Sequence, residues 1–402
     1  MTLAIDNLNH YKISLLSKKD SEFECEFDAV LLLSALAILG LGLIMVASTS
    51  ISIADKITEQ PFYYFIRQSI FAIIGIAAGL IVFNIPLSMW MKAGPSLVVI
   101  SVLLLLMLFL PGVGHEVNGS IRWLAFGPVN IQVSEIVKLF LVVYLSGYIV
   151  RHQDSVRTRL GGFIRPLLVL VMIAVLLMLQ PDYGASVVML ATAMCLMWLG
   201  GVKLFQYLLL LLFVVAAFAV MAVVSPYRMQ RLTTFLNPWD DPFNSGFQLT
   251  QALIAIGRGE WFGVGLGASV QKLFYLPEAH TDFLFSVLAE ELGLFGAVSV
   301  ITLFTIIILR AFRIARIAEQ NNQPFAGYMA YGIGVWVGLQ AYINIGVNMG
   351  ILPTKGLTLP LMSYGGSSLV VMCIAIALLL RIDFETNNRR LANKKVNKKT
   401  VK

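Results

Sequence analysis

Charge is scarce in this chain. Only 13% of its 402 residues are Asp, Glu, Lys or Arg, against 58% hydrophobic; a soluble domain carries roughly 25% charged residues. That shortage excludes an ordinary water-soluble domain, and a mean hydropathy of +0.83 points to a chain built for a bilayer. Cysteine is just as sparse. Cys25, Cys195 and Cys373 offer no disulfide framework, and two of them sit in apolar runs, so free thiols are expected. The first residues lack the basic start and short apolar run of a secretory leader. Asp6, Asp20, Glu22, Glu24, Glu26 and Asp28 make them acidic instead, and no cleavage is expected. No His, Cys and carboxylate set has zinc spacing, and neither a Walker loop nor a Ser-His-Asp arrangement stands out. No internal repeat is visible, which weighs against an inverted-repeat transporter.

What the chain has is long apolar runs. Approximate spans are 29–49, 66–84, 95–111, 134–150, 166–181, 185–201, 204–224, 283–309, 327–348 and 366–381. A helix needs about 20 apolar residues to cross the hydrocarbon core, and an unpaired backbone group there costs several kcal/mol. The predicted fold class is therefore an all-α polytopic membrane protein of about ten transmembrane helices. The fifth and sixth runs are short and poorly separated, so nine or eleven remain alternatives. One large extracytoplasmic loop, residues 225–282, lies between helices 7 and 8. The chain divides into an N-terminal tail (1–28), a membrane domain (29–382) and a basic tail (383–402), read as a solvated run. With the N-terminus in the cytoplasm, most of the 29 Lys and Arg fall on the cytoplasmic side, as basic residues prefer. Both termini are thus expected inside. The net charge of +7 needs no nucleic-acid partner; the basic tail suits anionic membrane lipid.

Polar residues collect in the outward loops. Asn118-Gly-Ser-Ile-Arg122-Trp123 and Gly127-Pro carry turn signals. Arg122 either grips a phosphate by forked donation or anchors its loop at the head groups. Phe62, Tyr63, Tyr64 and Phe65 read as interfacial anchors. Glu135 and Lys138 are three residues apart on one helix and share a face, forming a structural ion pair or part of a polar path. Glu290 and Glu291 point about 100° apart on a helix, and Glu290 is favoured as the bundle-facing one. Asp182 suits a helix cap. Asp282 opens the eighth span. It is either a first-turn acid favoured by the helix dipole or a carboxylate held at the water boundary to take a proton from a hydroxyl. The run Gly257-Arg-Gly-Glu-Trp-Phe-Gly-Val-Gly-Leu-Gly267 lacks nucleotide-loop spacing and reads as flexible backbone.

Several segments in order resemble the shape, elongation, division and sporulation (SEDS) family: Asn118-Gly-Ser-Ile-Arg-Trp123, Gln180-Pro-Asp-Tyr-Gly184, the stretch from Asn237-Pro-Trp-Asp-Asp-Pro to Gly257, Lys272-Leu-Phe-Tyr-Leu-Pro-Glu-Ala-His-Thr-Asp282, and Ser363-Tyr-Gly-Gly-Ser-Ser368. Pro353-Thr-Lys-Gly-Leu-Thr-Leu-Pro360 is similar to the division branch, a run the sporulation branch shares. Val133 and Ala268 depart from common family residues without removing an ionisable group.

The resemblance implies a peptidoglycan glycosyltransferase of septal wall synthesis. The family joins lipid II into β-1,4 glycan strands and releases undecaprenyl diphosphate. Asp282 stands at the family's essential loop aspartate. The leaving diphosphate needs positive charge, from Arg122, Arg228, Arg231, Lys272 or Lys355, or from a divalent cation such as Mg²⁺ or Mn²⁺. His280, Ser286, Glu290 and Ser363 are further candidates for the substrate cavity. Implied partners are lipid II, a class B penicillin-binding protein acting as transpeptidase, and other divisome proteins. Gly327, Gly334 and Gly338 offer a close-approach face either to that partner's helix or to the bundle itself. The implied location is the bacterial inner membrane at the septum. Competing readings are a lipid II flippase using Glu135, Lys138 and Glu290, a paralogue in elongation or sporulation, and a division scaffold without catalysis.

Overall fold

A computed structural model describes residues 27–117, 120–127, 129–224, 229–230, 233–353 and 356–400. Among them, helices of 17 residues or more stand at each of the ten predicted positions: α1 (Ala29–Thr58), α2 (Tyr63–Phe83), α3 (Leu87–Met107), α4 (Val133–Arg151), α6 (Leu160–Leu179), α7 (Tyr183–Leu199), α8 (Leu204–Val224), α10 (Leu284–Gln320), α11 (Pro324–Asn348) and α12 (Gly366–Thr400). Shorter helices are α5 (Gln153–Thr158) and α9 (Phe247–Gly259). Among the described residues, seven of the long helices are long and apolar enough to cross a membrane. The chain is a multi-pass membrane protein.

Local chemistry sets the helix ends. Asp28 caps α1 by accepting from the Leu31 amide at 2.9 Å. Pro324 begins α11, where its missing N–H costs nothing. The fifth and sixth runs separate at Gln180–Asp182, and Asp182 accepts from the Ala185 amide at 3.4 Å. α4 and the apolar part of α12 lie at the centre, 78% and 72% buried, while α2 and α3, at 28%, turn most of their surface outward. Glycines bring the helices close. The Cα of Met362 sits 2.6 Å from where a Cβ on Gly42 would be, and Gly75 and Gly79 of α2 face Cys373 and Ala377 of α12. Such small-residue contacts are how helices associate in lipid, where no hydrophobic drive acts between them. Gly334 and Gly338 face Ala311, Phe312 and Ile308 of α10. That glycine face belongs to the bundle, not to a partner.

The architecture departs from the sequence reading in three places. The loop before α4 is an antiparallel sheet of β1 (Gly114–Val117), β2 (Ser120–Phe126) and β3 (Val129–Gln132), in the order β1-β2-β3. α12 runs on as helix through the basic tail to Thr400. A helix already nucleated in the membrane propagates readily through good helix formers such as Lys, Arg and Ala. Finally, α10 is broken. Gly293, at φ 66° and ψ −163°, interrupts it, so Leu284–Leu292 is a separate half-helix beneath the long loop.

Candidate active site

Distant segments converge on Gly356, in the α11–α12 loop. A Cβ there would lie 3.2 Å from Asp282 Oδ2 and 3.9 Å from Arg122 Nη1. Arg122 projects from β2. It donates to the Pro181 carbonyl and stands 4.0 Å from Asp182 Oδ1. The adjoining Gly184 packs against Leu357 and the Gly356 carbonyl. The sheet, the α6–α7 turn, the start of α10 and the α11–α12 loop thus build one site. Asp282 is half-buried. Arg122 keeps 27% of its side chain exposed. Its Nε and the Oδ2 of Asp182 are buried without a hydrogen-bond partner among the described residues, leaving donor and acceptor capacity inside the site.

Two side chains hold the main chain at Asp282. Its carbonyl accepts from the side-chain amides of Asn344 and Asn348, each at 2.9 Å. The sequence reading passed over both. Their signal was two asparagines one turn apart in an apolar span, where polar groups need partners.

His280 packs against the rings of Tyr64 and Tyr364, with centroids 4.9 and 5.6 Å away, and those two rings meet edge to face at 5.0 Å. Its carbonyl accepts from the Tyr364 amide at 2.9 Å. Tyr64, read as a lipid anchor, therefore packs inside the site's wall. Burial pushes the His280 imidazole below its ordinary pKa, against the opposing pull of the Glu278 carboxylate. The folded state holds a proton there less readily than the unfolded chain. His280 thus supports the fold above the ordinary imidazole value of 6.5 and withdraws that support as pH falls toward its lowered value. In thermal unfolding, the drop in Tm from pH 7 to 5 is expected to shrink by about 2 °C or more in His280→Phe, which keeps the ring and loses the titration. An unchanged pH slope contradicts this role.

Other sequence candidates are placed differently. Ser286 is fully buried and donates to Asn348 Oδ1 at 2.7 Å; it braces the helix start. Glu290, also fully buried, accepts from Ser269 Oγ, from the amides of Val270 at 3.1 Å and Gln271 at 3.4 Å, and pairs with Arg258 at 3.6 Å. Lys272 is bound to Glu291 and Ser48 at 2.8 and 2.9 Å. Both glutamates are buried, because the loop folds back over the half-helix and supplies a partner to each. That closure takes Lys272 away from any phosphate role. Ser363 accepts from the Leu359 amide at 2.9 Å, and its carbonyl accepts from Gln68 Nε2 at 3.0 Å, so it shapes a turn. Glu135 and Lys138 are 2.8 Å apart and buried; Lys138 also donates to Gln340 Oε1 at 2.6 Å. Lys355, Arg228 and Arg231 lie outside the described residues.

In the large loop, Asp241 accepts from the Ser245 amide and hydroxyl at 3.0 and 2.8 Å and from Asn244 Nδ2 at 2.9 Å. Ser245 first, then Asn244, holds its carboxyl below the usual carboxylate range. The Asn-Pro-Trp-Asp-Asp-Pro motif is thus a turn that leads into α9. Among the described residues, no three His, Cys, Asp or Glu converge as a metal cage. No step below runs through a metal ion.

A family model described as cell cycle protein, the FtsW/RodA/SpoVE family, matches residues 28–388. A protein of Nitrosococcus halophilus, named probable peptidoglycan glycosyltransferase FtsW, is 56% identical over 369 residues, covering 92% of this chain and 95% of that one. One of Thioalkalivibrio sulfidiphilus with the same name is 57% identical over 359 residues, covering 89% and 90%. Among solved structures, a chain of a peptidoglycan synthase complex that coordinates polymerization and crosslinking superposes with a TM-score of 0.74 at 28% identity, covering 90% of this chain and 98% of that one. The rod shape determining protein RodA of Thermus thermophilus gives 0.64 at 26%, covering 89% and 96%. With the match running from the first helix into the last, this chain belongs to the FtsW/RodA/SpoVE family.

Proposed function

We propose that this chain is a peptidoglycan glycosyltransferase that polymerises lipid II into β-1,4 glycan strands at the division septum. In this reading the Gly356 site faces outward from the inner membrane and both termini are cytoplasmic. The observation that carries the reading is that a carboxylate, Asp282, and a cation, Arg122, both lie within 4 Å of the Cβ position of one glycine. Asp282 takes the proton from the acceptor sugar's 4-hydroxyl as that oxygen attacks the donor's anomeric carbon. The new C–O bond forms opposite the α-linked diphosphate, whose bond to carbon breaks, giving inversion. Arg122 meets the negative charge that gathers on the departing diphosphate, and the proton passes from Asp282 to water. The lipid tail stays in the bilayer throughout. We further infer a class B transpeptidase partner within the divisome, in keeping with the synthase complex that the fold resembles.

The flippase reading finds less support. Glu135 and Lys138 are bonded to each other and to Gln340, and the cavity beside Lys138, lined also by Thr192 and Trp336, has room for about one water molecule. A disaccharide head group does not fit there. Purified protein in detergent, given lipid II with and without the transpeptidase, is expected to yield glycan strands that a muramidase degrades. Transfer of lipid II between the leaflets of vesicles, with no strand formed under any condition, supports the flippase and overturns the polymerase.

A further inference from the structure

We propose that Asn344 and Asn348 are positioning residues for Asp282, holding it off the end of α10 so that its carboxylate stands against Gly356, where Arg122 also reaches. The proposal rests on Asp282 being the catalytic base. In an uninterrupted helix, the Ser286 N–H would donate to the Asp282 carbonyl four residues back. Here the Asn348 side chain stands between them. Its Oδ1 accepts from Ser286 N at 3.1 Å, and its Nδ2 donates to the Asp282 carbonyl at 2.9 Å. One amide fills both halves of the opened bond. Ser286 N also reaches the Phe283 carbonyl at 3.1 Å, so the chain tightens there instead of continuing as α-helix.

The surrounding bonds define the amides' orientation. Asn348 Oδ1 takes a second donor, Ser286 Oγ, at 2.7 Å, while its Nδ2 also donates to the Asn344 carbonyl at 2.9 Å. Asn344, one turn earlier, donates to the Asp282 carbonyl at 2.9 Å and to the Leu357 carbonyl at 2.6 Å. Leu357 adjoins Gly356, so Asn344 ties the base to the loop it faces. Both asparagines are buried, at 2% and 0% exposure, and buried amides cost free energy unless they are bonded. Without them, the inserted amide no longer blocks the 286-to-282 helical bond. Asp282 then joins α10, and its side chain takes a helical direction, each residue turning about 100°, away from Gly356.

The test is steady-state polymerisation by Asn348→Ala and Asn344→Ala in the full chain, with kcat counted per folded molecule from gel filtration. A misplacement of about 1 Å costs on the order of 100-fold in rate. The expected result is a fall in kcat of that order with KM for lipid II within about threefold, because substrate contacts stay and only the base moves. Should Asn348→Ala fail to fold, Asn344→Ala carries the test, since it keeps the inserted amide for folding and removes the tie between the Asp282 and Leu357 carbonyls. Folded variants whose kcat lies within twofold of wild type overturn the proposal, as does a loss confined to the yield of folded protein. Asp282→Ala measured alongside separates the two ideas. If it is inactive while the asparagine variants keep their kcat, only the positioning role fails. If it polymerises normally, the catalytic reading itself fails.

Discussion

Replacing Asp282 by Asn is expected to slow lipid II polymerisation severely while leaving the protein folded and able to bind lipid II. Its backbone carbonyl accepts from Asn344 and Asn348, and an isosteric side-chain change leaves those two bonds intact. What is lost is the acceptor for a proton. General bases contribute on the order of 10² to 10⁴-fold, so the rate is expected to fall by about three orders of magnitude. Arg122→Lys is expected to fall less. It keeps a charge beside Gly356 but loses the forked geometry that suits a diphosphate. The measurement is glycan product per folded enzyme by gel electrophoresis. Polymerisation by Asp282→Asn within tenfold of wild type removes this carboxylate from the chemistry and leaves Arg122 without a catalytic partner.

The helices were legible because lipid imposes one rule on every span. Runs of apolar residues must pair their own backbone, and helices stand at all ten positions. Asp282, Arg122 and Asp182 were legible as polar residues at span ends and as parts of the family motifs, although composition left each with an ordinary structural alternative. What the sequence concealed is contact at a distance. Strands as short as four residues, Gly114–Val117 and Val129–Gln132, carry no period long enough to read. Glu290 was taken to face a cavity because helical-wheel geometry treats 283–309 as one helix. The break at Gly293 and the return of the loop give Glu290 and Glu291 separate protein partners instead. The same blindness misplaced Lys272, a loop cation whose partner Glu291 is nineteen residues away. The glycine run 257–267 was read as flexible. In the fold, Gly259 and Gly263 are where loop backbone lies directly on the half-helix, a Cβ at either position meeting Ala289 or Glu291 carbonyl oxygen within 2.2 Å.

That contact makes Gly293→Ala the most damaging substitution expected outside the site. Gly293 sits at φ 66° and ψ −163°, a region open to glycine and costing other residues on the order of 1–3 kcal/mol. A Cβ there would lie 2.4 Å from Gly263 N and 2.6 Å from the Trp261 carbonyl group, all of it backbone that has no rotamer to change. The break also leaves backbone groups to satisfy, and the loop does so. Val264 N donates to Glu290 O and Gly265 N to Glu291 O, both at 3.0 Å, while Leu294 N donates to Glu260 O at 2.9 Å and Phe295 N to Trp261 O at 3.3 Å. Lifting the loop by an ångström breaks this patch and draws Lys272 off Glu291, and separating a buried ion pair costs about 3–5 kcal/mol. Gly293→Ala is therefore expected to lower Tm by about 10 °C or more, to open the 225–282 loop to protease, and to abolish polymerisation, although Asp282 is untouched. Two controls divide the cause. Gly265→Ala imposes the φ penalty alone, because φ is 104° and nothing lies within 4 Å of its Cβ. Gly257→Ala imposes neither. The expected order of loss is Gly293, then Gly265, then Gly257. A Gly293→Ala protein that unfolds within 2 °C of wild type, with its loop still protected, shows that the half-helix holds its place without the loop seated on it.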